Sequence, residues 1–122
     1  MADDKRENDC ATVVYATFPS REAAEEAAGR LVDAGLAACV NLIPGMVAIY
    51  RWQGERHRDS EVVMIAKSRA SLAERVVAAI RDKHPYTNPA VVHWPIAGGS
   101  RDYLDWVLAE TQGGDRGAGT AL

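Results

Sequence analysis

One apolar stretch, residues 36–52, limits the folds open to this chain more than any other segment. It contains a single charged residue, Arg51, and its apolar positions are rich in β-branched and aromatic types. Its residues alternate in two strand-like halves, and Pro44-Gly45 separates them. Because proline cannot donate to a β-ladder and glycine tolerates a kink, the pattern predicts one long strand with a bulge or bend.

A second apolar run, residues 61–68, follows a polar segment, residues 53–60. Together the two runs predict a long β-hairpin with a polar tip. The hairpin is too long for a chain of this size to cover alone. We therefore expect its far end to pair with another surface.

Length, composition and charge indicate one globular domain. The chain has 122 residues, of which 48% are hydrophobic and 25% charged, enough for a core of its own. The net charge of −3 provides no large basic field for nucleic acid. No run approaches the roughly 20 apolar residues of a membrane span. Two cysteines form no disulfide framework and the polar, acidic start is unlike a signal peptide, so we expect a cytoplasmic protein without nucleic-acid or membrane partners.

Strand and helix signals alternate along the rest of the chain. Residues 12–18 predict a buried strand, and Ser20 predicts the N-cap of a first helix that ends at Gly35. Ser71 and Glu74 fit a capping box for a second helix, which Pro85 stops.

A short edge strand is predicted between two prolines, Pro89 and Pro95, and a third helix begins at residue 100. The resulting order predicts an α/β (α+β) fold, the ferredoxin-like β-α-β-β-α-β arrangement with an antiparallel sheet, a long hairpin and an extra C-terminal helix. We place the domain at residues 11–112 and expect disordered tails at residues 1–10 and 113–122.

No predicted helix or strand covers two apolar surfaces of this fold. The second face of the sheet has no helix layer, and Trp106 points away from the apolar stripe of its own helix. Together with the overlong hairpin, these features predict a homo-oligomer.

Few residues fit catalytic or metal chemistry. The serines lie in caps and turns without a nucleophile motif, so we expect no enzymatic activity. The third predicted strand lacks the aromatic residues of RNA-recognition modules. Cys39, on an apolar strand, is expected to be a core thiol. His84 follows a helix, and its imidazole either balances the helix dipole or ligates copper.

Several short sequence motifs are specific enough to compare with a known family. The chain resembles the CutA divalent-cation tolerance family over residues 11–111. The resemblance rests on these motifs: Leu36-Ala-Ala-Cys-Val-Asn41, Pro44-Gly45, Ile49-Tyr50 with Trp52 and Gly54, Glu61, Lys67, His84-Pro85-Tyr86, Pro89 and Tyr103-Leu-Asp-Trp106.

The resemblance implies a ferredoxin-like subunit in a tight homotrimer, similar in architecture to the PII signalling proteins. It also implies a role in tolerance of copper and other divalent cations, by binding rather than catalysis. Some members carry proposed copper ligands at positions that here are Ala16, Lys83 and His84. Because only His84 remains, we expect at most weak coordination of Cu(2+) or another divalent cation, and Cys39 is the one other family thiol.

Two alternatives remain open at this point. In a PII-like sensor or adaptor, a cleft between subunits would take a small anion or nucleotide. The residues expected at such a cleft or interface are Arg51, Trp52, Lys67, Tyr86 and Trp106. A small hydrolase of the acylphosphatase type shares the fold, but no motif supports it.

Overall fold

The computed structural model describes residues 9–112 and contains four strands and three helices within that range. The elements are β1 (Ala11–Phe18), α1 (Arg21–Asp33), β2 (Cys39–Trp52), β3 (Glu55–Arg69), α2 (Ala73–Arg81), β4 (Val91–Pro95) and α3 (Arg101–Glu110). A short 3-10 turn, Ala70–Leu72, leads from β3 into α2. Within this range no helix is long and apolar enough to cross a membrane.

The four strands form one antiparallel sheet in the order β2-β3-β1-β4. This order and the two helices packed on one face confirm the predicted ferredoxin-like α+β fold. The core lies between that face, which we call the first face, and the helices α1 and α2. Its largest fully buried side chains include Phe18, Leu31, Met64 and Ile80.

The first helix follows the sequence pattern closely. The Ser20 side chain accepts a hydrogen bond from the Ala23 amide at 3.1 Å, which satisfies one free N–H of the first turn. Gly35 follows the helix with a φ of 73°, the left-handed conformation that glycine adopts at little cost. Ala24 and Ala27 are buried, so small side chains let α1 lie close to the sheet.

The bulge in β2 lies at Pro44-Gly45, as predicted. The pairing with β3 shifts between Ile43, opposite Val63, and Met46, opposite Glu61. The extra residue reverses the alternation along β2. Odd-numbered residues before the bulge and even-numbered residues after it therefore share one side of the sheet.

The polar tip predicted at residues 53–60 is part of the paired hairpin. The strands pair out to Trp52 and Glu55, and only Gln53 and Gly54 form the turn. Both turn residues have positive φ, 53° and 84°, as a two-residue hairpin turn of type I′ requires. The polar side chains of residues 55–60 lie on a paired strand. Backbone groups make the hydrogen bonds between the strands, so apolar side chains are not needed there.

The start of α2 also differs from the expected capping box. The Leu72 position caps the helix without a side-chain bond, and Glu74 contacts His93 at 3.0 Å. Ser71 instead donates its backbone N–H to the Asp9 carboxylate at 2.9 Å, and its hydroxyl also contacts that carboxylate.

Asp9 and Cys10 belong to the fold, although we expected a disordered leader through residue 10. The Asp9 side chain is buried and lies 3.4 Å from Arg69, whose guanidinium also donates to the Leu108 carbonyl and the Thr111 hydroxyl. This network ties the start of β1 and the end of α3 to the end of β3. Of the tails predicted at residues 1–10 and 113–122, residues 1–8 and 113–122 lie outside the described residues.

The second face of the sheet exposes apolar side chains. Cross-strand partners share a face, so Val92 and Trp94 of β4 lie beside Tyr15 and Val13 of β1. Val92 is 53% and Trp94 47% exposed. Val92 and Trp94 therefore belong to the second face, which the sequence predicted to need a partner. Farther out on the hairpin and on its other side, Ile49 is 64% exposed.

A candidate ligand-binding cleft

A cleft of about 730 Å³ lies between the outer half of the β2–β3 hairpin and the segment of residues 85–90. Tyr50 and Trp52 of β2, Tyr15 of β1 and Tyr86 line it with aromatic rings. Small-molecule sites commonly have volumes of this order, with apolar walls and a few polar groups.

The β2 bulge places these walls. Because it reverses the alternation, Met46, Ala48, Tyr50 and Trp52 all line the cleft. Ile49 and Arg51, on the opposite side of the strand, also contribute to the lining. Without the additional residue, Val47, Ile49 and Arg51 would exchange sides with these four residues. The local sequence around Pro44-Gly45 therefore determines which side chains reach the cleft.

Glu61 supplies the buried acidic group of the cleft. The residue is only 6% exposed, and its Oε2 accepts a hydrogen bond of 2.7 Å from the Tyr86 hydroxyl. Burial raises the pKa of Tyr86 well above the ordinary tyrosine value, and the hydrogen bond to Glu61 and its negative charge raise it further. Tyr86 is thus held as a neutral donor.

A second tyrosine–carboxylate pair fixes another wall. The Tyr50 hydroxyl donates to the Asp59 carboxylate, and the Tyr50 ring stacks on His57 with centroids 5.3 Å apart. The hydrogen bond to Asp59 raises the pKa of Tyr50, and partial desolvation and nearby carboxylates add to the effect. These contacts hold the Tyr50 ring along the cleft.

His84 uses both ring nitrogens within the subunit. Its Nδ1 accepts from the Tyr86 amide at 3.0 Å, so Nε2 carries the proton and donates to the Thr17 carbonyl at 2.8 Å. The ring stacks on Phe18 at a centroid distance of 4.5 Å. His84 therefore anchors the segment that carries Tyr86, a role that sequence reasoning did not consider.

The other residues weighed for copper lie apart from His84 or cannot ligate. Cys39 is a half-buried free thiol opposite Lys67, on the second face rather than in the expected core position. It is aligned with Val13, whereas His84 bonds to Thr17, about 13 Å farther along β1. Ala16 is fully buried in the core, and Lys83 is exposed with a φ of 70°.

Across residues 9–112, no group of three or more His, Cys, Asp or Glu side chains is placed to hold a metal ion.

The structure brings together three of the five residues expected at a cleft or interface. Arg51, Trp52 and Tyr86 line the cleft. Lys67 contacts the Asn41 side chain near Cys39, and Trp106 lies on α3, 43% exposed, beside Tyr103 at 5.7 Å. Neither of these two residues lines the cleft.

Sequence reasoning did not single out Glu61 or Tyr50 as site residues. One signal for Glu61 was present, since it is an acidic residue directly before the apolar run Val62–Ile65. Its burial also depends on Tyr86, which the folded chain brings to it.

Comparisons with known proteins agree on one family. The model of the family described as CutA1 divalent ion tolerance protein matches residues 12–110. A curated relative from Thermus thermophilus, the divalent-cation tolerance protein CutA, is 44% identical over 99 residues, which is 81% of this chain and 96% of the relative.

Solved structures show the same similarity. The structure of the divalent cation tolerance protein from Thermus thermophilus has a TM-score of 0.80 at 44% identity and covers 83% of this chain and 98% of its own. The structure of the periplasmic divalent cation tolerance protein CutA from Archaeoglobus fulgidus has a TM-score of 0.80 at 34% identity. The match covers 84% of this chain and 99% of that chain.

Proposed function

The chain belongs to the CutA1 divalent ion tolerance family, and from this premise we propose that it acts in divalent-cation tolerance as a homotrimer that binds rather than converts its ligand. The family match over residues 12–110 is the observation that carries the proposal, because it spans nearly the whole described domain. A cytoplasmic location is part of the proposal, since Cys10 and Cys39 are free thiols, which a reducing compartment preserves.

The trimer is supported by the surfaces that one subunit leaves open. Val92 and Trp94 are exposed on the second face, and Ile49 is exposed on the hairpin. Contact with other copies of the chain would remove this apolar area from water.

Copper binding through His84 would be weak by this proposal. A metal ion at either imidazole nitrogen would replace the hydrogen bond to Thr17 or the one from Tyr86. Cys39 is too distant within one subunit to add a thiolate to His84, so further ligands would come from water or from a neighbouring subunit.

Native mass spectrometry of the full chain with added copper(II) tests this proposal. We expect a trimer that takes up a small, defined number of ions, and we expect His84→Ala to lower this uptake. His57→Ala is the matched control, because His57 lies on the hairpin and stacks on Tyr50. The same spectra show whether each variant still assembles. If His84→Ala binds copper as well as the wild type, His84 is not a ligand, and if the wild type takes up none, the copper proposal fails.

A ligand-responsive sensor of the PII-like type is the second candidate. The cleft favours it, because Arg51, Trp52 and Tyr86 come together around a volume that suits a small molecule. Ligand that binds only the native state raises the free energy of unfolding by RT ln(1 + [L]/Kd). A sensor therefore has a melting temperature that rises with ligand concentration.

A further inference from the structure

The outer part of the β2–β3 hairpin, residues 46–61, separates its charges by side. Beyond the bulge, Ile49 is opposite Arg58 and Arg51 is opposite Arg56. Directly opposed residues share one side of a pair of strands. One side of the outer hairpin therefore carries three arginines and no acidic residue. We call it the arginine side, and its charged residues are Arg51, Arg56 and Arg58.

The other side of the same hairpin has the opposite charge. It carries three carboxylates and no lysine or arginine, and we call it the acidic side. Its charged residues are Glu55, Asp59 and Glu61, which are opposite Trp52, Ala48 and Met46. Backbone pairing within one chain fixes both sides. The division of charge is therefore the same in a free subunit and in an assembly that covers the hairpin.

The arginine side is unfavourable for the hairpin alone. Arg51 lies directly opposite Arg56, and like charges in directly opposed positions destabilise a pair of strands. Arg58 is two residues from Arg56 on the same side, about 7 Å away. In the part of the chain that the structure describes, the ion pairs lie outside residues 46–61. The opposing charge for this side therefore has to come from another molecule.

A second copy of the chain presents that charge in matching form. Asp59 and Glu61 are two residues apart on β3, about 7 Å, which is also the spacing of Arg56 and Arg58. In a closed ring of three subunits, each contact joins two different surfaces of the same chain. The two sides of the hairpin are such a pair. A polyanion would fit only the arginine side, and the net charge of −3 opposes it.

We propose that in the trimer the arginine side of each hairpin packs on the acidic side of the hairpin of the next subunit. Three such contacts, each in the same head-to-tail sense, close the ring. The guanidinium groups of one chain donate to the carboxylates of the next, which offsets the repulsion between Arg51 and Arg56. This proposal rests on the homotrimer proposed above and specifies two surfaces that meet in it.

Charge reversal on either side tests the contact. Arg56→Glu combined with Arg58→Glu makes the arginine side acidic, and Glu55→Lys combined with Asp59→Lys makes the acidic side basic. Fluorescence-detected sedimentation velocity of the full chain over a dilution series gives the dissociation constant of the trimer. Each reversal should raise this constant by about a hundredfold or more, because like charges then face each other across the contact.

The chain that carries all four substitutions distinguishes a head-to-tail contact from a general effect of charge. Both of its sides are reversed, so an arginine side that has become acidic meets an acidic side that has become basic. Its dissociation constant should return to within about tenfold of the wild-type value, because the two pairs of substitutions are coupled. A constant no lower than that of either reversed pair would overturn the proposal.

Two further variants control for net charge and for folding. Arg21→Glu combined with Arg75→Glu changes the net charge as much as the arginine-side reversal, but at exposed positions of α1 and α2, and should leave the trimer unchanged. Asp59 also accepts from the Tyr50 hydroxyl, so its substitution affects the hairpin itself. Arg56→Gln combined with Arg58→Gln avoids that contact and should weaken the trimer and reduce its dependence on salt concentration.

The outcomes separate this contact from the homotrimer as such. A monomeric wild type would contradict the homotrimer, and the contact between hairpins with it. A trimeric wild type whose dissociation constant is unchanged by Arg56→Glu with Arg58→Glu would overturn only the contact. Equal weakening by the control pair on α1 and α2 would attribute the effect to net charge and would also overturn the contact.

Discussion

Glu61 and Tyr86 connect two segments that are 25 residues apart in the chain. The hydrogen bond holds the segment after α2 against β3 and closes one side of the cleft. His84 acts on the same segment, since its Nδ1 accepts the Tyr86 amide and its Nε2 donates to Thr17. Two neighbouring side chains therefore position this wall through contacts with two different strands.

The hydrogen bond between Tyr86 and Glu61 predicts how Tyr86→Phe changes the free energy of unfolding with pH. At pH values below the ordinary tyrosine pKa of about 10, the free energy of unfolding of Tyr86→Phe should be about 1–3 kcal/mol lower than that of the wild type, because Glu61 loses its buried donor. The raised pKa of Tyr86 means that the folded state keeps its proton while the unfolded state releases it. The wild type should therefore lose this advantage as pH rises above about 10.

Urea unfolding at a series of pH values from neutral to alkaline measures this effect. The gap between wild type and Tyr86→Phe should narrow with rising pH. Tyr103→Phe is the control, because Tyr103 is exposed on α3 and its hydroxyl makes no hydrogen bond with the described residues. A gap that stays constant would contradict the role of the Tyr86–Glu61 bond.

The β2–β3 hairpin is the element on which the cleft depends. Its bulge at Pro44-Gly45 reverses the alternation, and its type I′ turn at Gln53-Gly54 lets the strands pair out to their ends. Gly45 has a φ of 83°, a conformation that is unfavourable for residues with a Cβ atom.

Gly45→Ala and Gly29→Ala should change stability in opposite directions. A Cβ at either position meets no atom within 4 Å, so backbone conformation decides the result. Gly45→Ala should cost roughly 1–2 kcal/mol, since its φ is left-handed. Gly29 is exposed within α1, and alanine there should add about 0.5–1 kcal/mol. Urea unfolding of both variants measures the changes, and equal signs would show that the bulge is not conformationally demanding.

The molecule exposes apolar side chains on the sheet face that no helix covers and on the hairpin. The helices α1 and α2 cover the first face, whereas Val92 and Trp94 remain exposed on the second. The hairpin adds Ile43 and Ile49 to the exposed apolar residues. Assembly with other copies would cover these positions.

Sedimentation velocity tests the assembly. The wild type should sediment as three chains of 13.2 kDa each. Val92→Lys combined with Trp94→Lys places charges on the second face and should raise the dissociation constant by about a hundredfold or more. Val32→Lys, at an exposed apolar position on α1, is the control and should stay trimeric. A monomeric wild type would contradict the trimer.

The parts of the fold that were predictable depend on neighbouring residues in the chain. Ser20 and Gly35 delimit α1 through backbone groups a few residues away. Pro44-Gly45 fixed the bulge because proline lacks an N–H and glycine accepts positive φ. The family was identified from short motifs, and the family match agrees with that identification.

The sequence by itself therefore determined the order of the strands and helices, the bulge and the family, since each rests on periodicity, backbone preference or short motifs. Only the tertiary structure decided which groups meet. It buried Glu61 under Tyr86, engaged both nitrogens of His84, moved Ser71 from a helix cap to Asp9 and separated Lys67 from the cleft. These outcomes depend on hydrogen bonds between distant segments and on burial, and both exist only once the sheet has formed.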